Sequence, residues 1–134
     1  MFVPGTVHEE LIRPRAPQKV RAWMLQNHPW LEVTPVAQVQ PVRGLHKGET
    51  EALHLALERK ADAVLMDDMD GRAAARRLGI VTIFTLAILE LAAEKGFLDL
   101  PLAIAKLRQT SFFVSDQILS AALDRDRQRR GKAK

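Results

Sequence analysis

Ala63-Val64-Leu65-Met66-Asp67-Asp68-Met69-Asp70-Gly71-Arg72 is a short apolar run that stops at three carboxylates and a Gly-Arg pair. A buried strand ending this way delivers negative charge to the carboxyl edge of a sheet, where open α/β folds place their sites. On either side the pattern is regular. A helix is expected over Glu49–Arg59, a strand over Ala63–Met66, a helix over Gly71–Leu78, a strand over Ile80–Phe84 and a helix over Leu86–Lys95. Strands without polar alternation, separated by helices of one to three turns, indicate a parallel sheet covered on both faces, so the fold class is α/β.

Upstream, Phe2-Val3-Pro4 reads as a short extended segment. Thr6 and Glu9 have capping-box spacing for a helix to Ile12. A second helix is expected from Pro17 to Gln26, with Val20, Trp23 and Met24 on one face, and a strand from Leu31 to Val36. A connection punctuated by Pro and Gly then leads to Gly48. Downstream, Asp99-Leu100-Pro101 opens a helix to Arg108, Phe112-Phe113-Val114 is extended, and Ser115 with Asp116 caps a last helix, Gln117–Arg127.

The 134 residues suffice for one domain, whose core must come mainly from Leu, Ala, Val and Ile, because aromatic residues make up only 5% of the chain. Cysteine is absent, which removes disulfides, thiolate nucleophiles and Cys-based zinc sites and suits a reducing cytoplasm. The N-terminus lacks the basic head and apolar core of a signal peptide, and the run Ile80–Leu89 is too short to span a bilayer. The net charge is +4, but residues 125–134 alone carry +5, leaving −1 for the body. The expected organisation is therefore a domain over 1–124 and a basic tail over 125–134. That tail is read either as a solvated helix end or as an electrostatic lure for RNA or DNA.

The acidic residues are the candidate chemistry. In a parallel α/β unit the helix before a strand runs antiparallel to it, which brings the first turn, with Glu49 and Glu51, towards Asp67, Asp68 and Asp70. Carboxylates gathered in one place repel unless they hold a hard cation such as Mg²⁺ or Mn²⁺. The bland alternative is helix capping and dipole compensation. Leu65–Gly71 resembles the nucleophile motif of haloacid-dehalogenase-like phosphatases. Here, however, the motif lies mid-chain, Arg72 stands where Thr or Val is expected, and no second acidic strand follows. A response-regulator receiver fails on the order of its acids.

Five blocks in order, Val3–Leu11, Gly48–Leu53, Leu65–Arg72, Leu78–Val81 with Thr85-Leu86, and Ser115-Asp116, resemble the PIN-domain family, in particular an uncharacterised toxin-like prokaryotic branch of predicted nucleic-acid-binding proteins. The resemblance implies a three-layer α/β/α domain with a short parallel sheet. It also implies a Mg²⁺- or Mn²⁺-dependent ribonuclease in which carboxylates hold metal and activate water. Glu10, Glu51 and Asp68 fall on the family's catalytic and metal-binding acids, with Asp70 a further metal ligand. Glu49 and Asp67 are alternatives, and Arg72 is read as a partner of a neighbouring carboxylate. A homodimer and a cognate antitoxin are also implied.

PIN domains begin with a strand that carries the first metal-binding aspartate, whereas this chain begins at the Val-Pro block. An N-terminally truncated version of the fold is therefore expected. Either Phe2-Val3 pairs directly beside Ala63–Met66, or a second subunit covers the edge, or the sequence starts at an internal methionine. The alternative function is a non-catalytic nucleic-acid-binding or protein-interaction module derived from a PIN domain. The four histidines lack ligand spacing, there is no nucleophile elbow or phosphate loop, and Trp23, Trp30, Phe112 and Phe113 are read as core in preference to surfaces for stacking on bases. Thr85 is read as a helix cap.

Overall fold

The computed structural model describes residues 1–132. In chain order these form β1 (Phe2–Pro4), α1 (Gly5–Ile12), α2 (Gln18–Met24), β2 (Glu32–Thr34), α3 (Lys47–Arg59), β3 (Val64–Leu65), α4 (Met69–Arg77), β4 (Thr82–Ile83), α5 (Thr85–Glu94), α6 (Leu100–Arg108) and α7 (Asp116–Lys132). This is a mixed α/β chain, as the sequence pattern predicts. Lys134 of the expected tail lies outside the described residues.

The strand pairing differs from the expectation of one sheet. Among the described residues there are two parallel two-stranded sheets. In one, β1 lies beside β2, with Phe2 opposite Glu32 and Pro4 opposite Thr34; in the other, β3 lies beside β4, with Val64 opposite Thr82. Phe2-Val3 does not pair with Ala63–Met66: β1, cut to three residues by the start of α1 at Gly5, pairs with β2, and β3 pairs with β4. Phe112-Phe113-Val114 forms no strand.

The chain divides into two compact units, Met1–Ile83 and Phe84–Lys134. In the first, Leu53 and Ala56 of α3 pack with Val64, Met66, Ala74 and Ala75 around β3 and α4. Gly71 permits this, since a Cβ there would stand 2.6 Å from Met66 Sδ. In the second, Leu86 and Ala93 of α5, Leu100 and Ile104 of α6, and Leu119 and Ala122 of α7 form a separate core. Helices α6 and α7 start on side-chain caps, Leu102 N–H donating to Asp99 Oδ1 at 3.0 Å and Ile118 N–H to Ser115 Oγ at 3.3 Å, whereas α5 has Phe84 at its N-cap, without a side-chain cap, and Thr85, expected as the cap, as its first residue.

Helix α7 continues five residues past its expected end at Arg127 because its cations find partners. Arg125 grips both oxygens of Glu90 at 2.8 and 3.1 Å, Arg127 pairs with Asp124, Arg129 with Asp126, and Arg130 lies 2.7 Å from Asp126 Oδ2. The hydrogen bond to Glu90, helped by its charge and opposed by slight desolvation, holds the Arg125 guanidinium above its ordinary pKa.

The aromatic residues also depart from expectation. Trp23 is 42% exposed, Trp30 55% and Phe113 89%, so these are surface residues, while Phe112 is half-buried. The cores are filled by aliphatic and Ala side chains instead. No described helix is long and apolar enough to cross a membrane.

Candidate metal and phosphodiester site

The sequence brings its acids together through helix α3. The first turn of α3 satisfies itself: His46 N–H donates to Glu49 Oε2 at 3.1 Å, and Thr50 Oγ1 donates to the His46 carbonyl at 3.0 Å. Glu49 is thereby a cap rather than a spare ligand. Gly48, Glu51, Leu55 and Arg59, at helical offsets 0, 3, 7 and 11, form one stripe of α3. That stripe meets α1 and β1, since a Cβ on Gly48 would stand 3.0 Å from Glu10 Oε1 and 3.1 Å from Val7 Cγ2, and Arg59 lies over the Phe2 ring at 5.1 Å.

Glu51 is 6% exposed, and its Oε2 has no hydrogen-bond partner. A buried charged oxygen without a donor costs on the order of 1–3 kcal/mol or more, which a native fold keeps only when something offsets it. Glu51 lines a cavity of about 580 Å³, walled on the other sides by Val36, Val39, Pro41, Leu45 and Lys47. The carboxylate therefore has both an unmet need and room for a ligand.

Two further expected acids border the same stretch of chain. Glu10, on the exposed side of α1, closes on Gly48 as described. Asp70 Oδ2 would stand 3.7 Å from a Cβ on Gly44, a turn residue with φ +85° just ahead of α3. Gly44 and Gly48 leave room for these carboxylates by having no side chains of their own. Sequence reading paired Asp70 with the strand end and weighed Gly44 and Gly48 only as a phosphate loop, which they do not form, rather than as room for carboxylates.

Asp68 takes a different place. It is the N-cap of α4, where Oδ2 accepts from Gly71 N–H at 2.8 Å; its Oδ1 has no such bond. Asp67 is exposed just ahead of α4, and Arg72 is half-buried within that helix. Among the described residues no group of three Asp, Glu or His side chains meets closely enough to hold a metal ion. The donor set, all carboxylate oxygen, has the chemistry of a Mg²⁺ or Mn²⁺ site. Its geometry sets Glu10 beside Gly48 and Asp70 beside Gly44, with Glu51 on α3 and Asp68 engaged as the cap of α4.

A PIN-domain family model matches residues 1–128. No curated protein matches the chain. No solved structure matches it either.

Proposed function

Because the chain belongs to the PIN-domain family, we propose that it is a Mg²⁺- or Mn²⁺-dependent ribonuclease built on that family's three-layer α/β/α plan. The observation that carries this reading is the buried, unpartnered Oε2 of Glu51, a residue that lines a cavity, with Glu10 beside Gly48 of the same helix and Asp70 beside Gly44 just ahead of it. Glu51 and Glu10 would hold the ion, with Asp70 and the free Oδ1 of Asp68 completing an oxygen donor set. A bound divalent ion supplies a lowered pKa for water and charge neutralisation at a scissile phosphate. The chain's own contribution is to fix Glu51 on a rigid helix, keep bulk water off one of its oxygens, and hold Asp68 in a fixed rotamer through the Gly71 N–H. A homodimer and an antitoxin partner belong to this proposal by family resemblance alone.

A second reading, a non-catalytic nucleic-acid-binding or interaction module, draws support from Asp68 serving as a helix cap. The two readings part in one experiment. Mn²⁺ should raise the melting temperature of the purified protein, by the equivalent of about 2.7 kcal/mol at a hundred times Kd, and should switch on cleavage of single-stranded RNA. Glu51→Gln should abolish the metal-induced shift and lower cleavage by at least the ~100-fold that outer partners of a metal alone can reach. It should also raise the melting temperature of the metal-free protein, because an unpaired buried charge is removed. A metal-independent melting temperature and no cleavage above the Glu51→Gln background would establish the second reading.

A further inference from the structure

The positive charge of this chain is distributed unevenly with respect to partners. On α7 the arginines from Arg125 to Arg130 are matched by Glu90, Asp124, Asp126 and Asp99. Between Leu11 and Leu31, by contrast, stand Arg13, Arg15, Lys19 and Arg21 with no carboxylate at all. Among the described residues none of these four forms an ion pair. Arg13, Arg15 and Lys19 are exposed.

The same stretch carries both tryptophans of the protein, and both are on the surface. His28 stacks on Trp23 with ring centroids 3.9 Å apart and planes 25° from parallel, while Trp30 leans on the pair at 5.9 Å from Trp23 and 5.7 Å from His28. The cluster is locked in place: His28 Nε2–H donates to the Trp23 carbonyl at 2.6 Å, and Leu31 N–H donates to the His28 carbonyl at 2.9 Å. A carbonyl can only accept, so this contact fixes the His28 tautomer with the proton on Nε2. Lys19 and Trp23 are four residues apart on α2 and so share a face, setting an ammonium beside an exposed indole.

We propose that Trp23, His28 and Trp30, with Arg13, Arg15 and Lys19, form a docking platform for single-stranded nucleic acid, the rings stacking on bases and the cations following the phosphates. Two exposed indoles held by a histidine, in the same stretch as unpaired cations, match both halves of a single strand. They do not suit a duplex, whose bases are already stacked. A protein partner would need acidic groups and an apolar pocket together, and the uncompensated charge favours a polyanion. The platform needs neither metal nor cleavage, so it stands or falls apart from the nuclease reading.

Because Trp23 and Trp30 are the only tryptophans, intrinsic fluorescence reports this site alone. In EDTA, strands of oligo-rU and oligo-dT roughly 12 nucleotides long, within the span of known single-strand sites, should quench that fluorescence with similar affinities. Trp23→Ala should weaken binding about five- to a hundredfold by anisotropy of a labelled strand. Trp23→Phe should retain most of it, which separates stacking from folding. Changing Arg13, Arg15 and Lys19 together to Gln should flatten the slope of log K against log salt by about 2. Binding that ignores Trp23→Ala, equal affinity for duplex RNA, a preference beyond tenfold for either sugar, or a Trp23→Ala effect confined to protein self-association would each overturn the proposal.

Discussion

Asp68 shows how one side chain can hold a structural and a chemical role at once. Its Oδ2 closes the N-terminus of α4 through Gly71 N–H, and its Oδ1 remains available. Asn retains an oxygen acceptor for the cap and loses the charge; Ala loses both. Asp68→Asn is therefore expected to leave the melting temperature nearly unchanged, whereas Asp68→Ala should cost about 1 kcal/mol of stability. If the metal-dependent reading holds, both should lose Mn²⁺-dependent cleavage to a similar degree. An Asp68→Asn protein that cleaves RNA at the wild-type rate would assign Asp68 to capping only. Sequence reading identified Asp68 as a candidate site residue and left helix capping as an alternative for the aspartates; it is Asp68 that stands at the N-cap, with φ −63° and ψ 131°. Glu51 was legible by motif spacing. Its burial and its unpartnered oxygen were not, since they depend on the loop 36–45 closing over α3.

At the scale of elements, the helices were the readable part and the strand pairings were not. Periodicity and caps put α3, α4, α5 and α6 within a few residues of their expected spans, as each helix satisfies its own backbone. Strands of two or three residues carry no alternation long enough to choose a partner, so the β1–β2 and β3–β4 pairings came from chain geometry. Helix α7 was expected to end near Arg127, a reading that weighed the charge run and missed its acidic partners. Leu119, Ala122 and Asp126 lie at offsets 0, 3 and 7, so Asp126 continues a buried stripe and is itself only 4% exposed. Arg130, 2.7 Å from Asp126, also reaches Asp99 at 3.7 Å, the residue that caps α6. Asp126→Asn keeps the shape and removes the charge, and should lower stability by about 1–3 kcal/mol by leaving Arg129 and Arg130 without their counter-ion. The exposed pair Asp124–Arg127 is a control on the same helix, where Asp124→Asn should cost under about 1 kcal/mol. Thermal denaturation of the two variants compares them directly, and equal losses would contradict a buried latch.

Over the whole molecule, net charge and usable charge are different quantities. A net charge of +4, made of +5 in residues 125–134 and −1 in the rest, points towards the C-terminus as the polyanion-binding end. Ion pairing in α7 reverses that expectation, because a guanidinium already held by a carboxylate is less free to displace the cations condensed on a nucleic acid's phosphates. The Arg125 guanidinium, held above its ordinary pKa by Glu90, keeps its charge at every working pH, yet that charge is matched locally. Between Leu11 and Leu31, by contrast, four cations stand with no carboxylate in the stretch and no ion pair among the described residues, a local basic character that a whole-chain count conceals. Two variants with the same change in net charge should therefore behave differently. Arg127→Gln with Arg129→Gln is expected to leave the salt slope of single-strand binding unchanged, while Arg15→Gln with Lys19→Gln should reduce it by about 1.4. Anisotropy titrations of one labelled strand across a series of salt concentrations make the comparison. A slope that falls equally in both variants would mean that total charge, rather than its pairing, governs how this protein meets a polyanion.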